Sequence, residues 1–488
     1  MLQDLDRIGP ELILMVVAGC ILLTDLVLRE RDRGWLPFGA LVGLAASVIW
    51  TVVLIQRDRE GVAFSDAYSL DTFSIFFQFL FVGVAGLVVL ASVESVRRLR
   101  YQGEFWALLL LATSGMMLLA GARDLILIFI ALELTSISQY VLVGFLKDDR
   151  GTEAALKYIL MGAIATAVIL YGMAFVFGLT GTTNLLAADG TPIIATLDSG
   201  ARAGVIAAMV LLAAGFSFKV GLVPFQMWVP DIYEGAATPV AAFLSVGSKA
   251  AGFVVILRIF YEGFGADSFV GSDWSNLFAA LAAVSMTVGN VMALLQTNIK
   301  RLLGYSSIAQ AGNLAIGVAA IAASDGGLAL GASGVTFFLA AYVFTNLGAF
   351  FAVLAISHRL GSDTIADYAG MGRRAPLLAV VLALCFISLT GIPPTVGFVA
   401  KVYIFNAAVQ SDLVWLVIVG ALNTALSAYY YLRVVSHMYL ADAPVEGDIR
   451  PSPWLAVSLA ITGLGVLVFG IVPTPLIDAA ERAAGVFG

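Results

Sequence analysis

Residues 215–239 read GFSFKVGLVPFQMWVPDIYEGAATP, and the reading of this stretch decides the fold. It continues the apolar run AAMVLLAA at 207–214, sets Lys219 inside that run, and breaks it twice, at Pro224 and Pro230. The surrounding chain says what medium the run occupies. Of 488 residues, 60% are hydrophobic and 12% are charged, about half the roughly 25% of a soluble domain, and the mean hydropathy is +0.98. That is the composition of a polytopic membrane protein with no room for a large soluble domain. A charge and two helix breakers therefore fall where lipid would otherwise lie.

A helix needs roughly 20 apolar residues to cross the hydrocarbon core. On that ruler about fourteen spans are expected, near 8–28, 36–55, 69–92, 105–121, 123–146, 154–178, 203–224, 238–262, 275–297, 302–322, 333–357, 376–392 continuing past a break to 410, 413–440 and 453–473. All are read as helices, because lipid-exposed strands or loops leave backbone groups unpaired. Nothing alternates over the length that a closed barrel requires. The first run has no small-residue cleavage site and reads as a span that stays. Cys20 and Cys385 both lie in apolar runs and read as packing residues. The net charge of −7 says little, since most acids are in loops.

Basic residues set the orientation. With the N-terminus outside, the inner loops hold Arg29, Arg31, Arg33, Arg97, Arg98, Arg100, Lys147, Arg150, Lys300, Arg301, Arg359, Arg373, Arg374 and Arg450. The outer side holds Arg7, Arg57, Arg59, Arg123, Arg202 and Arg482. This asymmetry favours both termini outside.

The seventh span carries Lys219, Gly221, Pro224 and Pro230; the twelfth carries Thr390, Gly391, Pro393, Pro394, Gly397 and Lys401. Broken helices at matching positions point to inverted repeats. Five spans separate the breaks, and an odd offset turns the second unit upside down. The expected organisation is helices one to three over 1–104, a first repeat of helices four to eight over 105–265, an inverted second repeat of helices nine to thirteen over 266–440, and a last helix over 441–488.

A charge at mid-membrane costs about 2.5–3.5 kcal/mol on insertion scales, so the charges that persist there are candidates. Glu133 lies in LILIFIALELTSISQYVLVGF, roughly ten residues from either end; the plain alternative is a buried acid satisfied by neighbours such as Ser136. Lys219 precedes Pro224 by five residues, and the plain alternative is snorkelling to an interface. Lys249 is flanked by Ser245, Gly247 and Ser248, whose hydroxyls would anchor it in the plain reading. Lys401, four residues after Gly397, is the counterpart of Lys219. A lysine facing a carboxylate whose contact can be made or broken is a proton-loading switch. Lys157, four residues after Glu153, fits a surface pair at least as well as a transport role. Glu11, Asp25, Asp124 and Arg258 lie near span ends and are expected to reach water; His358 and His437 also sit near ends, which speaks against a metal site.

There is no Walker A loop, no GxGxxG after a strand and no cysteine cluster for iron–sulfur, and no Ser or Thr has a His partner placed for nucleophilic catalysis. This polypeptide is expected to carry no redox centre and no metal. What remains is a row: Glu133, Lys219, Lys249 and Lys401, each expected to be central in its own helix. A line of ionisable groups through a bilayer is a route for protons, each of which needs about 2.3 kcal/mol against 100 mV. That energy must come from a gradient or a partner.

The segments PFQMWVPDIYEGAATPVAAFLSVGSKAAGF (224–253), EAALKYILMGAIATAVILYG (153–172), NIKRLLGYSSIAQAGN (298–313), FFLAAYVFTNLGAFFAV (337–353) and SLTGIPPTVGFVAKVYIF (388–405) closely resemble the pattern of subunit N, the antiporter-like membrane subunit of proton-pumping NADH:quinone oxidoreductase, respiratory complex I. The resemblance covers nearly the whole chain. It implies that Glu133, Lys219, Lys249 and Lys401 form a polar axis for protons, driven by quinone reduction in other subunits, and it makes Lys157 a further relay candidate. It also implies a bacterial-type inner membrane, other membrane-arm subunits as partners, no nucleic acid, and NADH, FMN, iron–sulfur clusters and quinone in the partners rather than in this chain. Relatives often have histidine where this chain has Gln226 and Gln310. Glutamine does not titrate, which counts against a relay role at either position, although a water chain bonded to the amide is compatible.

Two other functions share the fold. An Mrp-type cation/proton antiporter subunit usually reads closer to PDAHxxAP where this chain has VPDIYEGA. A scaffold whose buried charges only fix helix register predicts that Lys219→Ala harms assembly without changing pumping per turnover.

Overall fold

A computed structural model describes residues 2–321, 329–442 and 449–487. Apart from one small hairpin it is helical throughout. Among the described residues, twelve helices are long and apolar enough to cross a membrane, from Gly9–Val27 to Pro453–Ile471. The expectation of fourteen is not met on that criterion, for two local reasons. Ile299–Ala319 is long enough but carries Lys300, Arg301 and a polar face, and falls outside the twelve. The expected twelfth span is two short apolar helices, Pro376–Thr390 and Val396–Gln410.

Boundaries moved where capping chemistry competes with hydropathy. The third span was expected from 69, but Tyr68–Leu70 is a strand paired antiparallel with Gly61–Ala63. The helix starts at Thr72, where the Asp71 carboxylate accepts from the Ser74 amide and the Ser74 hydroxyl closes the capping box.

The charges expected to reach water at span ends do not. Glu11 and Arg258 have no exposed surface, and Asp25 and Asp124 are buried. Glu11 accepts from Tyr68 and Gln78, both at 2.9 Å. Asp25 pairs with Arg33 at 2.9 Å. Arg258 donates to both Asp71 oxygens at 2.8 Å, to Glu262 and to the Ala120 carbonyl. Sequence position near an end does not reveal that a neighbouring helix end covers it. Of the two cysteines, Cys385 is buried as a packing residue, whereas Cys20 is exposed on the bundle surface.

The two breaks share their parts. Arg202–Val220 ends at Gly221 in the left-handed region (φ +77°), and Pro376–Thr390 ends at Gly391 (φ +90°). Each turn holds a cis X–Pro bond, Val223–Pro224 and Pro393–Pro394. The backbone groups released by the breaks find partners, as they must at this depth. Trp228 donates to Phe218 O at 2.9 Å, and Ser285 accepts from the Val223 amide at 2.9 Å. At the second break Gln310 donates to Leu389 O at 2.9 Å. The next membrane helix, Thr238–Phe264, contains two π-helical segments, Leu244–Ser248 and Arg258–Phe264.

Candidate functional site

The first break places Lys219 in the last turn of Arg202–Val220, not in mid-helix as the apolar run implied. This is the end where unpaired carbonyls concentrate negative potential and favour a cation. Its side chain is buried and crosses to Leu125–Val143. There Nζ donates to Ser136 Oγ at 2.9 Å and to the Tyr140 hydroxyl at 3.4 Å. Ser136 spends its own proton on Leu132 O, so its oxygen presents lone pairs to the lysine.

Glu133 is one turn from Ser136 on the same helix. It is half-buried and accepts from Thr166 Oγ1 at 2.9 Å. Among the described residues no ion pair joins it to Lys219. Ser136 thus serves the lysine rather than the acid.

Lys249 follows directly on the π segment Leu244–Ser248. It is buried, and Nζ donates to the Ser307 carbonyl of Ile299–Ala319 at 2.6 Å. The Ser307 hydroxyl meets the Tyr233 hydroxyl at 3.3 Å. Beside Lys219, Tyr140 packs edge-on against Tyr158 (4.7 Å), which stacks on Trp228 (4.9 Å) and donates to Gln139 Oε1 at 3.2 Å.

Lys401 belongs to Val396–Gln410 but reaches back across the second break. Nζ donates to Thr390 O at 2.8 Å, the last residue of the preceding half-helix, and to Thr424 Oγ1 at 3.2 Å. Gln310 stands on the way to it. Its Oε1 accepts from Asn313 at 3.1 Å while its amide holds Leu389 O. A cavity of about 10 Å³ lies between Gln310, Tyr342, Ser388 and Lys401, about the space one water needs (on the order of 10–15 Å³). Helix Ile299–Ala319 therefore presents Ser307 to Lys249 and Gln310, three residues on, to the second break. Gln226 lies in the first break, half-buried, and among the described residues its Oε1 has no hydrogen-bond partner.

Two kinds of buried charge are separated by their partners. Arg258 is held by two carboxylates and cannot change state without breaking both pairs. Lys219, Lys249 and Lys401 have, among the described residues, only neutral acceptors. A hydroxyl or carbonyl accepts from an amine as from an ammonium, so no ion pair locks any of the three in one protonation state.

Lys157 stands apart. It is 43% exposed and pairs with Glu153 at 2.8 Å, as its spacing suggested, and also with Asp231 at 2.9 Å. Arg301 completes the cluster, 2.8 Å from both Asp231 and Glu234. These groups line a cavity of about 340 Å³. Asp231 sits on Trp228–Gly235, the half-helix after the first break, which ties the cluster to that break.

Tyr140, Tyr158, Ser307 and Thr424 were not singled out from sequence, and Ser136 was named only as a partner for Glu133, whereas it accepts from Lys219. A signal existed: SSIAQ at 306–310 and SISQY at 136–140 put hydroxyls and amides at helical spacing inside apolar helices.

Paired broken helices with a buried lysine at each break define an antiporter-like polytopic membrane protein. The family model described as NADH:quinone oxidoreductase/Mrp antiporter, TM, matches residues 122–427. The NADH-quinone oxidoreductase subunit N of Dehalococcoides mccartyi is 43% identical over 484 residues, covering 98% of this chain and 99% of the relative. A chain of respiratory complex I from Thermus thermophilus, solved with bound aureothin, superposes with a TM-score of 0.81 at 31% identity, covering 97% of this chain and 99% of that one. A chain of the Mrp complex from Dietzia sp. DQ12-45-1b shares the fold (TM-score 0.85, 19% identity, covering 99% and 97%). The chain belongs to the NADH:quinone oxidoreductase/Mrp antiporter family, and within it groups with the subunit N relatives.

Proposed function

We propose that this chain is a proton-translocating membrane-arm subunit of an NADH:quinone oxidoreductase, in which quinone reduction by partner subunits drives protons through Glu133, Lys219, Lys249 and Lys401, with Lys157 as a further relay residue. The observation that carries the reading is the setting of Lys219: a buried lysine at a helix break, bonded only to hydroxyls on the helix that holds Glu133. A charge bound to neutral groups can be gained or lost without breaking an ion pair. The second break repeats the arrangement with Lys401 on a carbonyl and a threonine.

On this reading, residues 105–265 and 266–440 are inverted repeats, flanked by 1–104 and 441–488. The protein sits in a bacterial-type inner membrane with both termini outside, beside other membrane-arm subunits. NADH, FMN, iron–sulfur clusters and quinone act in those partners. The VPDIYEGA segment supports this over an Mrp-type antiporter, since likeness to the Mrp chain concerns the fold alone.

Purification of the tagged protein from its native membranes tests the reading. Co-purifying flavin, iron–sulfur subunits and NADH:quinone activity are expected. A preparation lacking all three, yet exchanging Na⁺ for H⁺ in vesicles, overturns it in favour of the antiporter.

A further inference from the structure

One stripe of helix Leu330–Leu360 reaches both ends of the interval between Lys249 and Lys401. Tyr342, Asn346 and Phe350 recur every four residues and so share a face. Phe350 packs edge-on against Tyr233, with centroids 5.8 Å apart, and the Tyr233 hydroxyl meets that of Ser307, whose carbonyl holds Lys249. Asn346 donates to Ser245 Oγ at 2.7 Å, on the π segment that leads into Lys249. Tyr342, one turn back, lines the cavity of about 10 Å³ together with Gln310, Ser388 and Lys401.

The stripe carries polar atoms that the protein does not satisfy. Tyr342 is 2% exposed and Asn346 0%. Among the described residues, neither the Tyr342 hydroxyl nor Asn346 Oδ1 makes a hydrogen bond of normal geometry, and buried polar groups left in that state are rare. The other hydroxyls that line the cavity are engaged. Thr345 donates to Ala341 O at 3.2 Å, and Ser388 accepts from the Gly397 amide at 3.1 Å. Among the described residues Lys401 bonds to Thr390 O and Thr424 Oγ1, which uses two of the three donors of an ammonium. The cavity is thus bordered by an uncommitted hydroxyl and by a lysine with a donor to give. A water there needs about two to four polar partners, and Tyr342, Lys401 and the remaining lone pairs of Ser388 and Gln310 supply them.

We propose that Tyr342 holds one water against Lys401, on the side that leads to Lys249, and that Lys401 exchanges its proton with this water. The inference rests on the proton route proposed above. Tyr342 is a positioning residue: its hydroxyl fixes the water and carries no charge at any stage. The water gives a proton to the Lys401 amine and regains one that Lys249 has released, so an N–H bond breaks at one lysine and forms at the other.

The test uses the complex assembled in native membranes. Protons per electron are measured in proteoliposomes, and the water is sought in a cryo-EM density map. Y342F removes a hydroxyl that has no protein partner, so an unchanged melting temperature is expected, with a loss in the proton-to-electron ratio approaching that of K401A. Y368F is the control. It removes a hydroxyl that is bonded to Ser357 at 2.8 Å, at the basic end of the bundle, and should melt earlier with an unchanged ratio. The wild-type map should show density for a water within hydrogen-bonding distance of both the Tyr342 hydroxyl and Lys401 Nζ, and the Y342F map should lack it. A lowered ratio in K401A beside a wild-type ratio in Y342F overturns this inference alone. A wild-type ratio in K401A overturns the route through Lys401, and the inference with it. If Y342F does not assemble, the wild-type map decides: the water in place supports the inference, and side chains closed over a dry site overturn it.

Discussion

Lys219 Nζ lies 2.9 Å from Ser136 Oγ, one helical turn from Glu133 on the same helix. The lysine at the first break therefore touches the glutamate's helix without touching the glutamate. On the proposed proton route, no ion pair between the two has to break first, because among the described residues none joins them.

Removal of the Ser136 hydroxyl should slow proton movement without unfolding the protein. A hydrogen bond of this type contributes about 1 kcal/mol, so S136A is expected to lower the pumping rate in proteoliposomes roughly fivefold, while S136T, which restores a hydroxyl, stays near wild type. Equal rates for S136A and wild type contradict the positioning of Lys219 by Ser136.

Arg258 should act on stability instead. R258A leaves Glu262 buried and Asp71 largely covered, with Arg123 the one remaining basic partner among the described residues, at 3.2 and 3.8 Å, and loss of one member of such a network costs about 3–5 kcal/mol. A lower thermal midpoint in detergent and a lower yield of folded protein are expected. R258K should recover part of the loss, since an ammonium cannot reproduce the two-pronged contact. An unchanged midpoint for R258A would falsify the structural role.

Gly391 couples backbone shape to the second lysine. Its φ is +90°, and a Cβ there would stand 2.8 Å from Lys401 Cδ. Gly361 has φ +68° with open space around it. Both G391A and G361A should lose about 1–2 kcal/mol of stability through the left-handed backbone, but only G391A should also impair pumping, because only it pushes Lys401 off the Thr390 carbonyl. Comparable pumping by the two variants, measured as protons per electron, contradicts the assignment of Lys401.

Much of this was legible in the sequence. The breaks at Pro224 and Pro393–Pro394 and the burial of Lys219, Lys249 and Lys401 follow from hydropathy interrupted by Gly and Pro, a strictly local signal. What was illegible depended on neighbours. Arg258 reads like a span-end residue because nothing local says that Asp71 and Glu262 surround it. The π segment before Lys249 has no breaker in LSVGS to announce it. Gln310 was marked down because it cannot titrate, yet it holds the half-helix end that Lys401 also caps; its value is as a bonding group, which composition does not reveal. The count of fourteen is not confirmed by length and hydropathy alone, because Ile299–Ala319 carries polar residues that lower its hydropathy while it packs inside the bundle against Lys249.

The central claim is that protons pass through Lys219, and the proton-to-electron ratio of the assembled complex carrying K219A tests it most directly. The account predicts an assembled enzyme that still oxidises NADH and moves fewer protons per electron, with K219R, which stays charged at all working pH values, failing in the same way. A wild-type ratio in fully assembled K219A would contradict it, and would leave the buried lysines as fixtures of the bundle rather than carriers.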